Sequence, residues 1–418
     1  MSKKNLILIT LGFPFGEQEQ SFLRAEFDEL VKHYKVTILT QQTTDPILYP
    51  IPQEVRVEQY SCQTNRGWHL LAALPTLAKL FMYPYVRQEL KDALHSCPSA
   101  LKKVRLREIV SFLLQSEQLK AVLEPLAKET NSELIYTYWC HHMTLTAVNL
   151  KKKYPHLKVL TRFHGHDLYN ERMSGGWQPF HGEIMAWCDQ LIFACEAGRY
   201  YAQEHWRQSL KSKFITAYLG CRPFPHVQKQ SADRLTLLSC SNMIPLKRVG
   251  RIIEALTKLP RDMSVQWHHV GGGELEQSLY IQAQQELSSR PNISWKFWGQ
   301  VTNEALPSLY EKICPELLIL LSESEGGAPV SIQEVFSMGI PAIGTAVGGI
   351  PELIQTGETG YLLSSDPSPT EVADAITAFY NTTPEQRQNM KNASYTLWKN
   401  KFDAKRNAEQ FIHLLNTL

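Results

Sequence analysis

The densest run of residues able to do chemistry is Ser322 to Gly349, SESEGGAPVSIQEVFSMGIPAIGTAVGG. The apolar run Leu317–Leu321 leads into Glu325-Gly326-Gly327-Ala328-Pro329, and a helix is expected to start there. Proline suits the first helical position, where its missing N–H costs nothing. The free N–H groups at such a start, from Val330 onward, combine with the glycine loop into a seat for a diphosphate. Glu334 falls one to two turns into the helix, where a carboxylate can accept hydrogen bonds from vicinal hydroxyls such as those of a ribose. Glu325, in the loop ahead, can face a sugar. A second glycine turn follows at Gly348-Gly349-Ile350-Pro351-Glu352. A generic strand–loop–helix with a surface glutamate would explain one glycine pair, but not the whole block.

A second cluster is Ser239–Val249, SCSNMIPLKRV, placed between an apolar run and a helical pattern. Lys247 and Arg248 put positive charge at a helix start, where the macrodipole disfavours it. An anionic partner there resolves the conflict, and a leaving diphosphate gains charge as it departs. Gly271-Gly272-Gly273-Glu274 lacks the spacing of a dinucleotide fingerprint and reads as a strand–helix turn bordering a nucleotide. Phe297-Trp298-Gly299-Gln300-Val301 ends another expected strand. In the N-terminal half, Thr161 to Tyr169 (TRFHGHDLY) carries His164, His166 and Asp167. An extended segment would put both histidines on one face, yet no third ligand is in view, so no metal site is expected. His141-His142 and His268-His269 read as structural, the first pair also as a weak acceptor-side candidate.

These residues need elements to hold them. Leu6–Thr10, Val36–Leu39, Leu134–Tyr138, Lys158–Thr161, Gln190–Ala194 and Ile215–Ala217 read as strands, with helices over Ser21–His33, Met143–Lys153 and His181–Cys188. Residues 61–130 read as a mostly helical insertion. The polar stretch Pro223–Asp233 is the expected linker. A second series follows: strands at Leu235–Ser239, Val265–Val270, Ile293–Trp298, Leu317–Leu321 and Pro341–Gly344, and helices at Val249–Leu259, Glu274–Ser288 and Val330–Met338. Continuous apolar runs alternating with helices predict α/β domains with doubly wound parallel sheets. The expected division is 1–222, 223–395, and a C-terminal helix over 396–418 packing back on the first domain. Two such domains leave a cleft at the carboxyl ends of their strands, where ligands bind.

Composition agrees. A chain of 418 residues is too long for one ordinary core, and two domains of roughly 200 residues are expected. Hydrophobic content of 43% and charged content of 20% are globular values. A net charge of +2 gives no general reason to expect nucleic acid. The eight cysteines form no CxxC pair and no zinc spacing, and they read as buried thiols of a reducing compartment. The apolar run after Met1–Asn5 is too short for a signal peptide, and nothing approaches the roughly 20 apolar residues that span a bilayer. The expected location is cytoplasmic, with peripheral contact at the inner face of a membrane. That contact is suggested by residues 66–107, where Trp68, Phe81, Tyr83 and Tyr85 accompany Arg66, Lys79, Arg87, Lys91, Lys102, Lys103, Arg105 and Arg107.

The motifs resemble family 4 of the retaining glycosyltransferases, of the bacterial surface-polysaccharide type, with the GT-B fold. The resemblance rests on Glu325-Gly326-Gly327-Ala328-Pro329, Glu334, Gly339-Ile340-Pro341, Gly348-Gly349-Ile350-Pro351-Glu352 and Thr356–Leu363, and covers most of residues 235–365. It implies Glu325, Lys247 and His164 as catalytic residues. It implies a donor site of Asn242, Arg248, Gly299, Val301, Gly326, Gly327, Ala328, Pro329, Val330 and Glu334. The loop Gly12-Phe13-Pro14-Phe15-Gly16 resembles the family's first glycine loop, which puts Gly12, Phe13, His166 and Asp167 on the acceptor side. Two departures stand out: the loop between Glu325 and Glu334 is one residue longer than the family pattern, and Asn242 stands where the family has an arginine, with Arg248 as its substitute. The implied reaction moves a hexose from a UDP- or GDP-linked sugar to a glycan or lipid-linked oligosaccharide with retention, without a cofactor or metal. A nucleotide-sugar epimerase on the same fold and a non-catalytic nucleotide-sugar or glycan-binding subunit are the alternatives.

Overall fold

A computed structural model describes residues 3–16, 19–61, 81, 83–95, 97–206, 213–225 and 234–418. It divides into two compact units, Met1–Ala217 with Ala408–Leu418, and Tyr218–Asn407. The first unit holds a parallel sheet of order β3-β2-β1-β4-β5-β6-β7. Its strands are β1 (Lys4–Thr10), β2 (Tyr34–Gln41), β3 (Arg56–Tyr60), β4 (Leu134–Thr137), β5 (Lys158–Phe163), β6 (Gln190–Phe193) and β7 (Phe214–Thr216). Leu6, Ile7, Leu8 and Ile9 of β1 are all fully buried, because helices cover both faces. One face packs Ile7, Ile9, Ile135 and Val159 against helices Ser99–Glu129 and His142–Lys153.

The opposite face carries an unusual charge. Arg162 is wholly buried and ion-paired with Glu26 of helix Gln20–His33. Tyr136 donates to Glu26 (2.7 Å) and accepts from Arg162 Nε (2.8 Å), while Arg162 Nη1 donates to the carbonyl of Ala217 (2.6 Å). A buried guanidinium needs every such partner to offset its lost hydration. The ring of Phe411 lies 4.9 Å from the same guanidinium, and Tyr34 donates to Asn416 (2.7 Å), which ties the C-terminal residues to this unit. The sequence reads as one helix over 396–418. Instead a wide turn, Trp398–Phe402, interrupts it before helix Ala404–Asn416. There Cys221 N–H donates to Phe402 (3.0 Å) and Ala404 N–H to Cys221 (3.2 Å), and backbone pairing has replaced helical bonds.

The second unit holds a parallel sheet of order β10-β9-β8-β11-β12-β13. Its strands are β8 (Leu235–Cys240), β9 (Val265–Val270), β10 (Ile293–Phe297), β11 (Leu317–Leu320), β12 (Ala342–Thr345) and β13 (Gly360–Leu363). Helices Val249–Lys258, Glu276–Leu287 and Pro369–Tyr380 close one face. Helices Leu306–Ile313 and Val330–Ser337 close the other. Of the expected insertion, helices Pro84–Leu94 and Ser99–Glu129 are seen, and 62–80 lie outside the described residues, as do 226–233 of the expected linker.

Candidate functional site

In the second unit, two loops at the carboxyl edge of the sheet are fixed against each other. One follows β8. Its shape is set by the Gly271–Gly273 turn after β9: a Cβ on Gly271 would lie 2.1 Å from the Ser241 carbonyl, and one on Gly273 2.6 Å from that of Met243. A buried polar chain supports it from below. Trp267 Nε1 donates to Ser239 Oγ (2.9 Å), Ser239 Oγ to His269 Nδ1 (2.8 Å), and His269 Nε2 to the Ser241 carbonyl (3.1 Å). A carbonyl only accepts, so Nε2 carries the proton. Burial pushes the His269 pKa down to about 4, which keeps the ring neutral. His269 thus braces the loop after β8.

Lys247 ends the short 3₁₀ turn Pro245–Lys247, and its ammonium pairs with Glu325 Oε1 at 2.5 Å. Ser322 Oγ donates to the same oxygen (2.5 Å), and Glu323 N–H donates to the Leu246 carbonyl (2.8 Å). The loop after β8 is thereby joined to the loop after β11. The second glycine turn closes over the latter. A Cβ on Gly348 would lie 2.3 Å from the Glu325 carbonyl, and one on Gly349 2.6 Å from Ala328 N and the Gly327 carbonyl. Only glycine permits this approach. Helix Val330–Ser337 starts at Pro329 with no side chain capping it. Its Glu334 is buried, and burial alone pushes the carboxyl pKa up to about 8. No side-chain partner for that carboxyl is found among the described residues, while Ser337 Oγ donates to the Glu334 backbone carbonyl (2.6 Å).

The structure brings Lys247 and Glu325 into contact and sets Gly326, Gly327, Ala328, Pro329 and Val330 on one continuous turn. Arg248, held at φ 49°, donates to the Ser365 carbonyl (2.8 Å) and pairs with Asp366 (3.4 Å), and it reaches the loop after β11 through Glu323 (3.8 Å). Asn242 is exposed. Gly299, at φ 68°, accepts from Gly271 N–H (2.9 Å), with half-buried Val301 beyond it. Beside them Trp298 donates to His268 (3.0 Å) under the Lys296 ammonium, 3.7 Å from the ring centre. Glu352, from the second glycine turn, accepts from Tyr218 and pairs with Lys401 (3.7 Å).

In the first unit, Gly12 and Phe13 lie in the loop after β1, and their N–H groups both donate to Glu19 Oε2 (2.6 Å each). Glu19 gave no signal in the sequence, because nothing local distinguishes it from the acids around it. His164 follows β5; its N–H donates to Asp167 (2.6 Å), whose other oxygen accepts from Cys140 N–H (2.7 Å). Burial pushes the His164 pKa down to about 3 and raises that of Asp167 to about 7. Neither ring nitrogen of His164 has a hydrogen-bond partner, although Nδ1 stands 4.0 Å from Asp167 Oδ2. His166 is exposed, because residues 165–168 form a turn rather than an extended segment. Among the described residues, no three His, Cys, Asp or Glu side chains are placed to hold a metal ion.

Residues 224–397 match the family model described as glycosyl transferases group 1. N-acetyl-alpha-D-glucosaminyl L-malate synthase of Bacillus anthracis is 35% identical over 133 residues, 32% of each chain. WcaL of Salmonella typhimurium, named as a colanic acid biosynthesis glycosyltransferase, is 22% identical over 229 residues, 49% of this chain and 51% of that one. The match thus spans about a third of the first relative's length and half of the second's. Over nearly the full length, the fold is that of Anabaena HepE, solved with UDP-glucose: TM-score 0.67, 15% identity, 99% of this chain and all of that one covered. Residues 224–397 thus resemble a group 1 glycosyl transferase domain, in a chain with the two-unit GT-B fold.

Proposed function

We propose that the chain is a retaining glycosyltransferase that moves a hexose from a UDP- or GDP-linked donor to a hydroxyl of a glycan or lipid-linked acceptor. The observation that carries the reading is Glu334, a buried carboxyl with no protein partner, on the uncapped helix start that follows the Lys247–Glu325 pair. The donor diphosphate takes the N–H groups at Val330 and the ammonium of Lys247, which it draws from Glu325. Glu334 accepts the ribose hydroxyls. The C1–O bond breaks through an oxocarbenium-like state, and the acceptor oxygen enters on the face the diphosphate leaves. A phosphate oxygen takes the acceptor proton. Lys247 supplies the charge for the leaving group, and neither a cofactor nor a metal takes part, so activity persists with chelator present.

Two relatives favour synthesis of cell-surface polysaccharide, by the name of WcaL, and a nucleotide-sugar donor, by the ligand of HepE. Cytoplasmic placement with peripheral membrane contact completes the proposal. Lys102, Lys103, Leu106 and Arg107 are exposed together on helix Ser99–Glu129, as an anionic membrane would require. No helix among the described residues is long and apolar enough to cross a membrane.

A thermal-shift screen against UDP- and GDP-sugars tests the donor, since a ligand at 100 times its Kd stabilises by about 2.7 kcal/mol. Glu334→Ala should abolish that shift and transfer together. Binding without transfer to any acceptor, unaltered by Lys247→Ala, would favour the non-catalytic subunit that Asn242 suggests. Conversion of donor alone into an epimer would favour the epimerase.

A further inference from the structure

Glu19 is buried, yet both its carboxylate oxygens are in use. Oε1 accepts from Leu11 N–H (3.1 Å) and from the Trp139 indole, and Oε2 accepts from Gly12 and Phe13 N–H (2.6 Å each). Four donors offset the lost hydration of one carboxylate. Trp139 stands at the end of β4, 120 positions away. Its ring lies 4.2 Å from that of His164, centre to centre, at 37°. Tyr138 flanks the same imidazole at 4.9 Å. The hydroxyl of Tyr138 and both ring nitrogens of His164 are buried without hydrogen-bond partners, the Asp167 carboxylate standing 4.0 Å from Nδ1. Unpartnered buried polar groups cost free energy, and a native site keeps them where a ligand satisfies them. Asp167 closes the arrangement from the other side by joining Cys140 N–H to His164 N–H.

We propose that Glu19 is a positioning residue: it locks the loop after β1 to the Trp139 indole, and through the Trp139 ring it sets His164 and Tyr138 to meet the hydroxyls of a sugar. Charge and geometry favour a permanent brace over a plug awaiting displacement, because all four donors are within reach of one fully used carboxylate. Glu19→Gln replaces one acceptor oxygen by an NH₂ facing N–H donors. Trp139→Phe keeps a ring over His164 but loses the indole donor.

The inference rests on the transferase reading, and its test separates the two. Transfer by the unaltered protein, with the best donor from the screen, tests the reading. For Glu19→Gln, kcat should fall on the order of 10²-fold, the usual cost of misplacing a group near the reaction by about 1 Å. Donor affinity should stay within about twofold, because donor contacts lie in the other unit. Trp139→Phe should fall less, in the same direction. Independently of activity, the His164 ring signal in histidine-labelled NMR, assigned with His164→Gln, should shift in both variants. If Glu19→Gln proves unfolded, Trp139→Phe carries both measurements. An unmoved His164 signal, or kcat unchanged in a folded variant, overturns the proposal. A uniform loss of active fraction with normal kcat per folded molecule would leave Glu19 merely structural and also overturn it.

Discussion

Replacing Glu334 by glutamine should make the ligand-free protein more stable and the donor complex weaker. Burial raises this carboxyl from 4.5 to about 8, with no compensating partner. Below about pH 4.5 the folded and unfolded chains both hold the proton. Between about 4.5 and 8 the unfolded chain has released it and the folded chain has not, so stability falls as pH rises through that window. At 1.36 kcal/mol per unit, the loss between about pH 5 and about pH 8 is roughly 3 kcal/mol. Glutamine has no proton to lose, and its amide fits the same space. Urea unfolding of both proteins at those two pH values isolates the effect, since every other titrating group is common to both. The variant should gain roughly 3 kcal/mol on the wild type at the higher pH and much less at the lower. Calorimetry should show the wild type releasing a proton on donor binding, because ribose hydroxyls donate to the ionised form, and the variant releasing none. Parallel stability curves, or equal proton release, would refute the placement of Glu334 as a buried acid with no charged partner.

Lys247→Ala should cut turnover by roughly 10²–10³ with the fold retained, as expected for one lost transition-state charge contact; near-normal turnover in steady-state assays would remove it from the mechanism. Gly349→Ala should abolish donor binding in the thermal-shift assay, because its Cβ would sit 2.6 Å from Ala328 N and drive the loop from its seat. Vesicles of anionic lipid should sediment the protein at low salt, and Lys102, Lys103 and Arg107 changed together to glutamine should release it, at about 1 kcal/mol per charge. Arg105 is left intact in that variant because it donates to the carbonyls of Ala93 and Gly175 (2.8 Å each), so Arg105→Gln should instead lower the melting temperature.

Most strands are legible locally, because a strand buried on both faces must be apolar throughout, and Leu6–Thr10 and Leu317–Leu321 look like nothing else. The edge strand Arg56–Tyr60 is not legible for the same reason: half-exposed and written RVEQY, it has no such run. The glycine loops are also legible, since a tight strand-to-helix turn needs small residues in a fixed order. What each glycine is for was decided only in three dimensions. Gly271 and Gly348 matter because of carbonyls of Ser241 and Glu325 that the chain brings back from elsewhere. The same holds for the charges. Sequence order could place Lys247 and Arg248 side by side, but only packing gave Lys247 to Glu325, 78 positions away, and Arg248 to Ser365 and Asp366. Arg105 was drawn out of the basic face, and Glu19, without any motif, became the brace of the first glycine loop. Local pattern fixes which backbone can form; the partner of a buried charge is chosen by what the folded chain carries within about 3 Å of it.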